Sequence, residues 1–153
     1  MATPFTISRA MESFVIEGGR PLAGTIRASG NKNGALPILA ASILASGEVR
    51  LSNVPRIRDV ETMVELMVDI GAEVEWTGPN DVRIDPSGVS KSDLDPTLAR
   101  EIRASFLLAG PLLARFGRVT VPPPGGDVIG RRRLDTHIHD LDDLGVRLGA
   151  DGD

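Results

Sequence analysis

An internal repeat is the feature that most constrains how this chain can fold. The stretch ALPILAASILASGEVRL (residues 35–51) matches SFLLAGPLLARFGRVTV (residues 105–121) at an offset of 70 positions. A loop that is four residues longer follows in the second copy, and the copies then rejoin, so that residues 61–71 align with residues 135–145. Self-similarity of this kind indicates that one structural unit is used twice.

Each copy is predicted to contain a strand, a buried helix, a second strand, an outer helix and a further strand. Residues 35–45 are apolar almost all round, which predicts a helix buried on every side, with Pro37 in its first turn and Gly47 at its end. The outer helix of the first copy stops at Gly71, and its apolar face is formed by Val60, Met63, Val64, Met67 and Val68.

The strands of the first copy are predicted from short extended runs. Residues 48–54 read as one strand, and residues 72–76 and 81–85 read as two strands joined by a hairpin turn at TGPN. The second copy reaches position 153 before its own last strand or hairpin. We therefore expect the chain to be truncated, since units of this kind need neighbours to cover their faces.

Composition excludes several classes of function. The 153 residues suffice for one domain with a core, but a net charge of −4 and an aromatic content of 3% argue against nucleic acid as a partner. Cysteine is absent, which excludes disulfides and cysteine metal sites. The N-terminus lacks the apolar stretch of a signal peptide, and the longest apolar run is too short to span a bilayer. A cytoplasmic location without membrane association is expected.

Lys32 and Asn33 lie where a predicted strand gives way to the first buried helix. The free N–H groups and the dipole at a helix start favour an anion, and a lysine there suits a phosphate or a carboxylate. The alternative is that Ser29 or Asn31 caps the helix while Lys32 is solvated. The sequence supports both interpretations equally.

Arg103 is the repeat partner of Asn33 and again precedes a buried helix. If the two units pack side by side, these polar and cationic groups face one cleft. The alternative is ordinary capping, with Glu101 paired to Arg103.

The loop PPPGGDVIGRRR (residues 122–133) separates the matching strand and helix of the second copy. Prolines stiffen such a segment and glycines allow unusual dihedral angles, which predicts a lid or active-site loop. Its three arginines suit phosphate and carboxylate groups. The alternative is a surface turn in which these arginines pair with Asp127, Asp135 and Asp140.

Three segments, residues 29–55, 102–117 and 122–145, resemble the UDP-N-acetylglucosamine 1-carboxyvinyltransferase family. The resemblance runs from Ser13 to Ala150 and covers less than half of the family's length. It implies an α/β fold, namely an inside-out α/β barrel built of repeated βαβαββ units with buried helices. It also implies two domains of three units each, with the substrates bound between them.

The resemblance and the repeat together suggest a division of the chain. Residues 1–10 are expected to form a flexible tail. Residues 11–30 are expected to hold the first strands, at 13–19 and 24–30, which belong partly to the other domain. Residues 31–153 are expected to form the first one and a half to two repeat units of one domain.

The activity that the resemblance implies is transfer of the enolpyruvyl group of phosphoenolpyruvate to the 3′-hydroxyl of UDP-N-acetylglucosamine, with release of phosphate. This reaction is the first committed step of peptidoglycan synthesis and uses neither a metal nor an organic cofactor. The implied phosphoenolpyruvate site contains Lys32 and Asn33. The implied nucleotide-sugar contacts are Arg103, Arg132, Arg133, Leu134, Asp135 and Thr136. The implied catalytic residues are Asp127, Lys32 and Arg132, of which Arg132 meets the phosphate.

Asp127 stands where most members of the family carry a cysteine, and the resemblance makes it the proton donor to the enol methylene. A carboxylic acid must keep its proton for this role, so its pKa would have to rise from about 3.9. Nearby arginines oppose that rise. The hypothesis is that closure of the site around an anionic substrate outweighs the arginines and raises the pKa. A carboxylate is also a poor nucleophile for the epoxide fosfomycin, so resistance is expected.

Two alternatives remain beside this interpretation. The related enzyme 3-phosphoshikimate 1-carboxyvinyltransferase shares the implied fold and donor, although the GGDVIGRRRLD segment favours the nucleotide-sugar enzyme. A non-catalytic paralogue or fragment with a binding role would keep the cleft without the chemistry. Because the implied second domain supplies a general base and further cations, the 153-residue chain alone is expected to be inactive.

Overall fold

A computed structural model of the protein describes residues 15, 17–19, 21–126, 134–147 and 149. Its α-helices are α1 (Lys32–Ser42), α2 (Arg58–Asp69), α3 (Pro96–Glu101), α4 (Ala109–Phe116) and α5 (Asp135–Asp143), and a 3-10 helix (Arg103–Leu108) leads directly into α4. The strands are β1 (Val49–Leu51), β2 (Glu73–Trp76) and β3 (Val82–Asp85). The predicted α/β class is confirmed.

The three strands form one antiparallel sheet in the order β1-β3-β2. The predicted hairpin is confirmed, because Glu73 pairs with Asp85 and the N–H of Thr77 donates to the carbonyl of Asp81 at 2.9 Å. Alternate residues of the central strand β3 are buried, as the two-residue period of a strand requires. Val82 and Ile84 therefore face the core.

The core lies between α1, α2 and the sheet. Its fully buried side chains include Leu39 of α1, Ile43 directly after α1, Met63 of α2 and Ile84 of β3. The second copy is tied to the first by Arg115 of α4, whose guanidinium donates to the carbonyls of Ile43 and Pro86, each at 3.0 Å. These two bonds satisfy a carbonyl at the end of α1 and one in the loop after β3.

The first buried helix differs from its prediction in its bounds. It begins at Lys32 because the side chain of Asn31 accepts a hydrogen bond from the N–H of Gly34 at 3.0 Å. Pro37 consequently lies in the middle of the helix and not in its first turn. The helix also ends at Ser42, well before Gly47.

The prediction that this helix is buried on every side is wrong. Ile38 is 53% exposed and Leu44, just after the helix, is 56% exposed. The described elements that pack on α1 are α2 and the 3-10 helix, and they cover one face of it. An apolar sequence does not reveal which neighbours are present to cover it.

The outer helix is confirmed as α2, with Gly71 after its end at a φ of 107°. Its buried face is rotated from the predicted one, because Val68 is 51% exposed and Val64 is half-buried. The fully buried residues at this face are Val60, Met63, Leu66, Met67 and Ile70.

The second copy keeps the order of its helices but loses its strand. Its inner helix is split into the 3-10 helix and α4, which ends at Gly117 with a φ of 73°. The strand that the repeat predicts after this helix is reduced, among the described residues, to a single bridge between Asp93 and Thr120. The second outer helix is confirmed as α5, which Gly145 follows at a φ of 85°.

The N-terminal strands differ from the prediction as well. Residues 24–30 are not a strand, and Ile26 is 94% exposed. A strand needs a partner backbone, and no strand of the described residues pairs with this segment. Residues 17–19 are not a strand either, while the predicted tail at residues 1–10 lies outside the described residues. No helix in the part of the chain that the structure describes is long and apolar enough to cross a membrane.

The packing of α1 generates a stability prediction. Leu39→Ala removes a fully buried side chain, so the free energy of unfolding should fall by about 2–5 kcal/mol. Leu44→Ala, the control, changes an exposed leucine next to the same helix and should cost less than about 1 kcal/mol. Urea unfolding followed by circular dichroism measures both, and equal losses would contradict the packing described.

Candidate functional site

A cavity of about 330 Å³ lies between the start of α1 and the 3-10 helix. Lys32 and Asn33 reach it from the first turn of α1, and Arg103 reaches it from the first position of the 3-10 helix. The repeat partners Asn33 and Arg103 thus line the same cavity. The rest of its wall is formed by Leu36, Pro37, Asp59, Ala104, Phe106, Leu107, Leu134 and His137.

Each of the two interpretations of the start of α1 agrees with part of the observed geometry. Asn31 is the N-cap, as the capping alternative holds. Lys32, however, is not simply solvated, since its Nζ atom lies 2.7 Å from Oδ2 of Asp59 and its side chain is 46% exposed. The ammonium group is therefore held at the cavity wall by an ion pair.

Asp59 is a residue of the cavity wall that the sequence analysis missed. It lies in the first turn of α2, where the helix dipole favours a negative charge. Lys32 and Asp59 are 27 positions apart and belong to different helices, so no periodicity of the sequence relates them. The available signal was weaker: an acidic residue at the predicted start of the helix that follows.

Arg103 is half-buried and lies two residues after the end of α3. Asp95 caps α3 by accepting hydrogen bonds from the N–H groups of Thr97 and Leu98 at 2.8 and 2.9 Å. The neighbouring Glu101 accepts a hydrogen bond from Arg58 at 3.1 Å. Arg103 thus follows a short helix that is capped at its start, and it lines the cavity.

The base of the proline-glycine loop is docked on the same segment. The N–H of Gly125 donates to the carbonyl of Ala99 at 3.5 Å, and that of Gly126 donates to the carbonyl of Arg100 at 3.2 Å. A Cβ atom on Gly125 would collide with the Arg100 carbonyl. Gly126 has a φ of 89°, which favours glycine. The loop therefore starts beside the backbone that carries Arg103.

Several predicted site residues lie outside the described residues. These are Asp127, Arg132 and Arg133, together with Arg131 of the same loop. The chain is described again at Leu134, which lines the cavity and immediately precedes α5. Asp135 and Thr136 open α5, where Asp135 is half-buried and Thr136 is exposed.

His137 joins α5 to the cavity wall. The spacing of His137 and His139 in the sequence predicts a solvated or locally bonded pair. In the structure the ring of His137 lies 5.7 Å from the ring of Phe106, centroid to centroid, and both residues line the cavity. This ring contact places the first turn of α5 next to the 3-10 helix.

Comparison with known proteins agrees with this architecture. The crystal structure of the enolpyruvyl transferase NikO from Streptomyces tendae matches with a TM-score of 0.66 and 29% identity, over 88% of this chain and 30% of that chain. The class defined by the fold is thus that of the enolpyruvyl transferases. A family model described as EPSP synthase (3-phosphoshikimate 1-carboxyvinyltransferase) matches residues 16–152, and the chain belongs to this family.

Two curated relatives share one enzyme name within this class. A protein of Bradyrhizobium diazoefficiens is 58% identical over 90% of this chain, and one of Treponema denticola is 49% identical over 92% of it. Both are named UDP-N-acetylglucosamine 1-carboxyvinyltransferase, which confirms the resemblance found in the sequence. The matched regions are 32% and 33% of those proteins, so the chain spans about a third of the length of these relatives.

The docked loop generates a prediction about one glycine. Gly125→Ala should push the loop off the Arg100 carbonyl and lower the free energy of unfolding by about 1–3 kcal/mol. Gly34→Ala is the matched control, because Gly34 lies inside α1 and the nearest atom found around its added carbon, Oδ1 of Asn31, is 4.0 Å away. It should stabilise the protein by about 0.5–1 kcal/mol, since alanine favours the helix. Thermal unfolding measures both, and two shifts of the same sign would contradict the docking.

Proposed function

We propose that the protein carrying this chain transfers the enolpyruvyl group of phosphoenolpyruvate to the 3′-hydroxyl of UDP-N-acetylglucosamine and releases phosphate, in the cytoplasm, as a step of peptidoglycan synthesis. The observation that carries the proposal is the single cavity lined by Lys32, Asn33 and Arg103. The names of the curated relatives support the choice of acceptor.

The chemistry of the cavity suits an anion of the donor's kind. Phosphoenolpyruvate carries a phosphate and a carboxylate, and the start of α1 offers the amide and dipole environment that favours such groups. Lys32 adds a point charge and Arg103 a planar fork for bidentate hydrogen bonds. A volume of about 330 Å³ is at the small end of ligand sites. It suits the donor and part of the larger acceptor.

The reaction runs by addition and then elimination. The acceptor hydroxyl gives its proton to a general base as its oxygen bonds to C2 of phosphoenolpyruvate, while C3 takes a proton from the donor group, which forms a tetrahedral intermediate. Loss of phosphate from C2 and of a proton from C3 then restores the double bond. We assign the proton donated to C3 to Asp127, and phosphate binding to Arg132 with Lys32. The docked Gly126 supports this assignment because it starts the loop beside Arg103.

The further acceptor contacts are assigned to Arg133, Leu134, Asp135 and Thr136. Leu134 lines the cavity, and α5 begins at the next residue. The general base and additional cations are assigned to parts of the protein that follow this chain in its relatives. A second candidate acceptor is shikimate 3-phosphate, because the description of the matching family includes 3-phosphoshikimate 1-carboxyvinyltransferase.

Phosphate release distinguishes these functions. The protein that carries this sequence is supplied with phosphoenolpyruvate and either UDP-N-acetylglucosamine or shikimate 3-phosphate, beside the 153-residue chain alone. Release with the nucleotide sugar, and none from the chain alone, is expected. Release only with shikimate 3-phosphate would favour the second candidate. Release with neither acceptor would indicate a binding protein that lacks the chemistry.

Lys32 gives the same assay a residue-level prediction. Lys32→Gln should lower kcat/KM for phosphoenolpyruvate about 100-fold or more, because a fixed cation facing the phosphate is lost. Lys91→Gln is the matched control, since Lys91 pairs with Asp69 at 2.8 Å and does not line the cavity. It should keep the original kcat/KM. Equal losses in the two variants would contradict the placement of the donor.

Fosfomycin provides a test of the residue at position 127. The 153 residues contain no cysteine, and a carboxylate reacts poorly with the epoxide, so peptide mass spectrometry should find no adduct on these residues of the unaltered protein. Asp127→Cys should acquire one fosfomycin adduct and lose activity over time. An adduct on Asp127 itself would contradict the assignment.

A further inference from the structure

The ion pair between Lys32 and Asp59 is a short charged contact in the wall of the cavity. Nζ and Oδ2 are 2.7 Å apart, and both residues line the cavity. The geometry points to Asp59 as a positioning residue for Lys32, one that holds the ammonium in the donor site before substrate arrives and then gives it up to the phosphate. This inference rests on the proposed function.

Both members of the pair lie at helix starts, which favour the carboxylate and disfavour the ammonium. Asp59 lies in the first turn of α2, where the partial positive charge of the helix start stabilises a carboxylate. Lys32 is the first residue of α1, where the same effect opposes a cation. Asp59 therefore offsets an unfavourable placement of Lys32. It does so from a rigid support, because the adjacent Val60 and nearby Met63 are fully buried.

The ion pair between Lys32 and Asp59 is also easily broken in favour of another anion. The side chains of Lys32 and Asp59 are 46% and 41% exposed, and ion pairs at such exposure contribute little to stability. A phosphate dianion carries more charge than a carboxylate and attracts the ammonium more strongly at equal distance. Lys32 can consequently change partner at small cost when the donor enters.

The Asp59 carboxylate has a second effect, which acts once the donor's phosphate is bound. Once Lys32 has turned to the phosphate, Asp59 is left within reach of a like charge, which repels the anion. Asp59 thus raises the fraction of protein in which the ammonium is in position while lowering the affinity for phosphate. No bond is made or broken at Asp59 in this scheme, and its whole effect passes through Lys32.

Asp59→Asn separates these two effects. Binding of inorganic phosphate, measured by calorimetry on the protein that carries this chain, should tighten by about threefold to fivefold, because the competing and repelling charge is removed. The kcat for enolpyruvyl transfer should fall about tenfold, because the ammonium is no longer held in place. A residue needed only for folding would weaken both binding and turnover.

Asp69→Asn is the matched control. It breaks the Asp69–Lys91 pair at the opposite end of the same helix, at a similar distance of 2.8 Å and outside the cavity. Phosphate affinity and kcat should both stay at their original values in this variant. Asp59→Glu keeps the negative charge and should recover most of the lost kcat.

A double-mutant cycle with Lys32→Gln tests whether Asp59 acts through Lys32. In the Lys32→Gln background, Asp59→Asn should change kcat and phosphate affinity by less than about twofold. An undiminished effect of Asp59→Asn in that background, or weaker phosphate binding in the single variant, would overturn the inference. If the unaltered protein transfers no enolpyruvyl group, the proposed function fails, and the phosphate titrations alone decide whether Asp59 controls Lys32.

Discussion

The burial of one face of α1 against α2 and the 3-10 helix is the constraint on which the rest of the structure depends. Leu39 and Ile43 are fully buried in this packing, together with Met63 of α2. It brings three helix starts to one side of the domain, so that Lys32, Asp59 and Arg103 line a single cavity. The chemistry of the site therefore follows from apolar packing that involves none of its polar residues.

Elements with strong local signals could be predicted from the sequence. The hairpin of β2 and β3, the helices α2 and α5, and the end of α2 at Gly71 follow from such signals. Elements whose state depends on distant partners could not be predicted. Residues 24–30 alternate like a strand but have no partner strand among the described residues, and the apolar run after Lys32 does not show that Ile38 is left exposed.

The candidate site likewise contains residues that could be predicted from the sequence and residues that could not. Lys32, Asn33 and Arg103 could be singled out because the repeat aligns two helix starts and because a cation there suits an anionic ligand. Asp59 could not be paired with Lys32, since the contact arises from the packing of two helices. The need for glycine at position 125 likewise comes from a backbone approach to Arg100, which no local pattern encodes.

A crystal structure of the protein with phosphoenolpyruvate and UDP-N-acetylglucosamine would test the central claim most directly. The account predicts that the donor's phosphate lies in the cavity between α1 and the 3-10 helix, with Nζ of Lys32 moved from Asp59 to a phosphate oxygen. A donor bound elsewhere, with the ion pair of 2.7 Å between Lys32 and Asp59 intact, would contradict it.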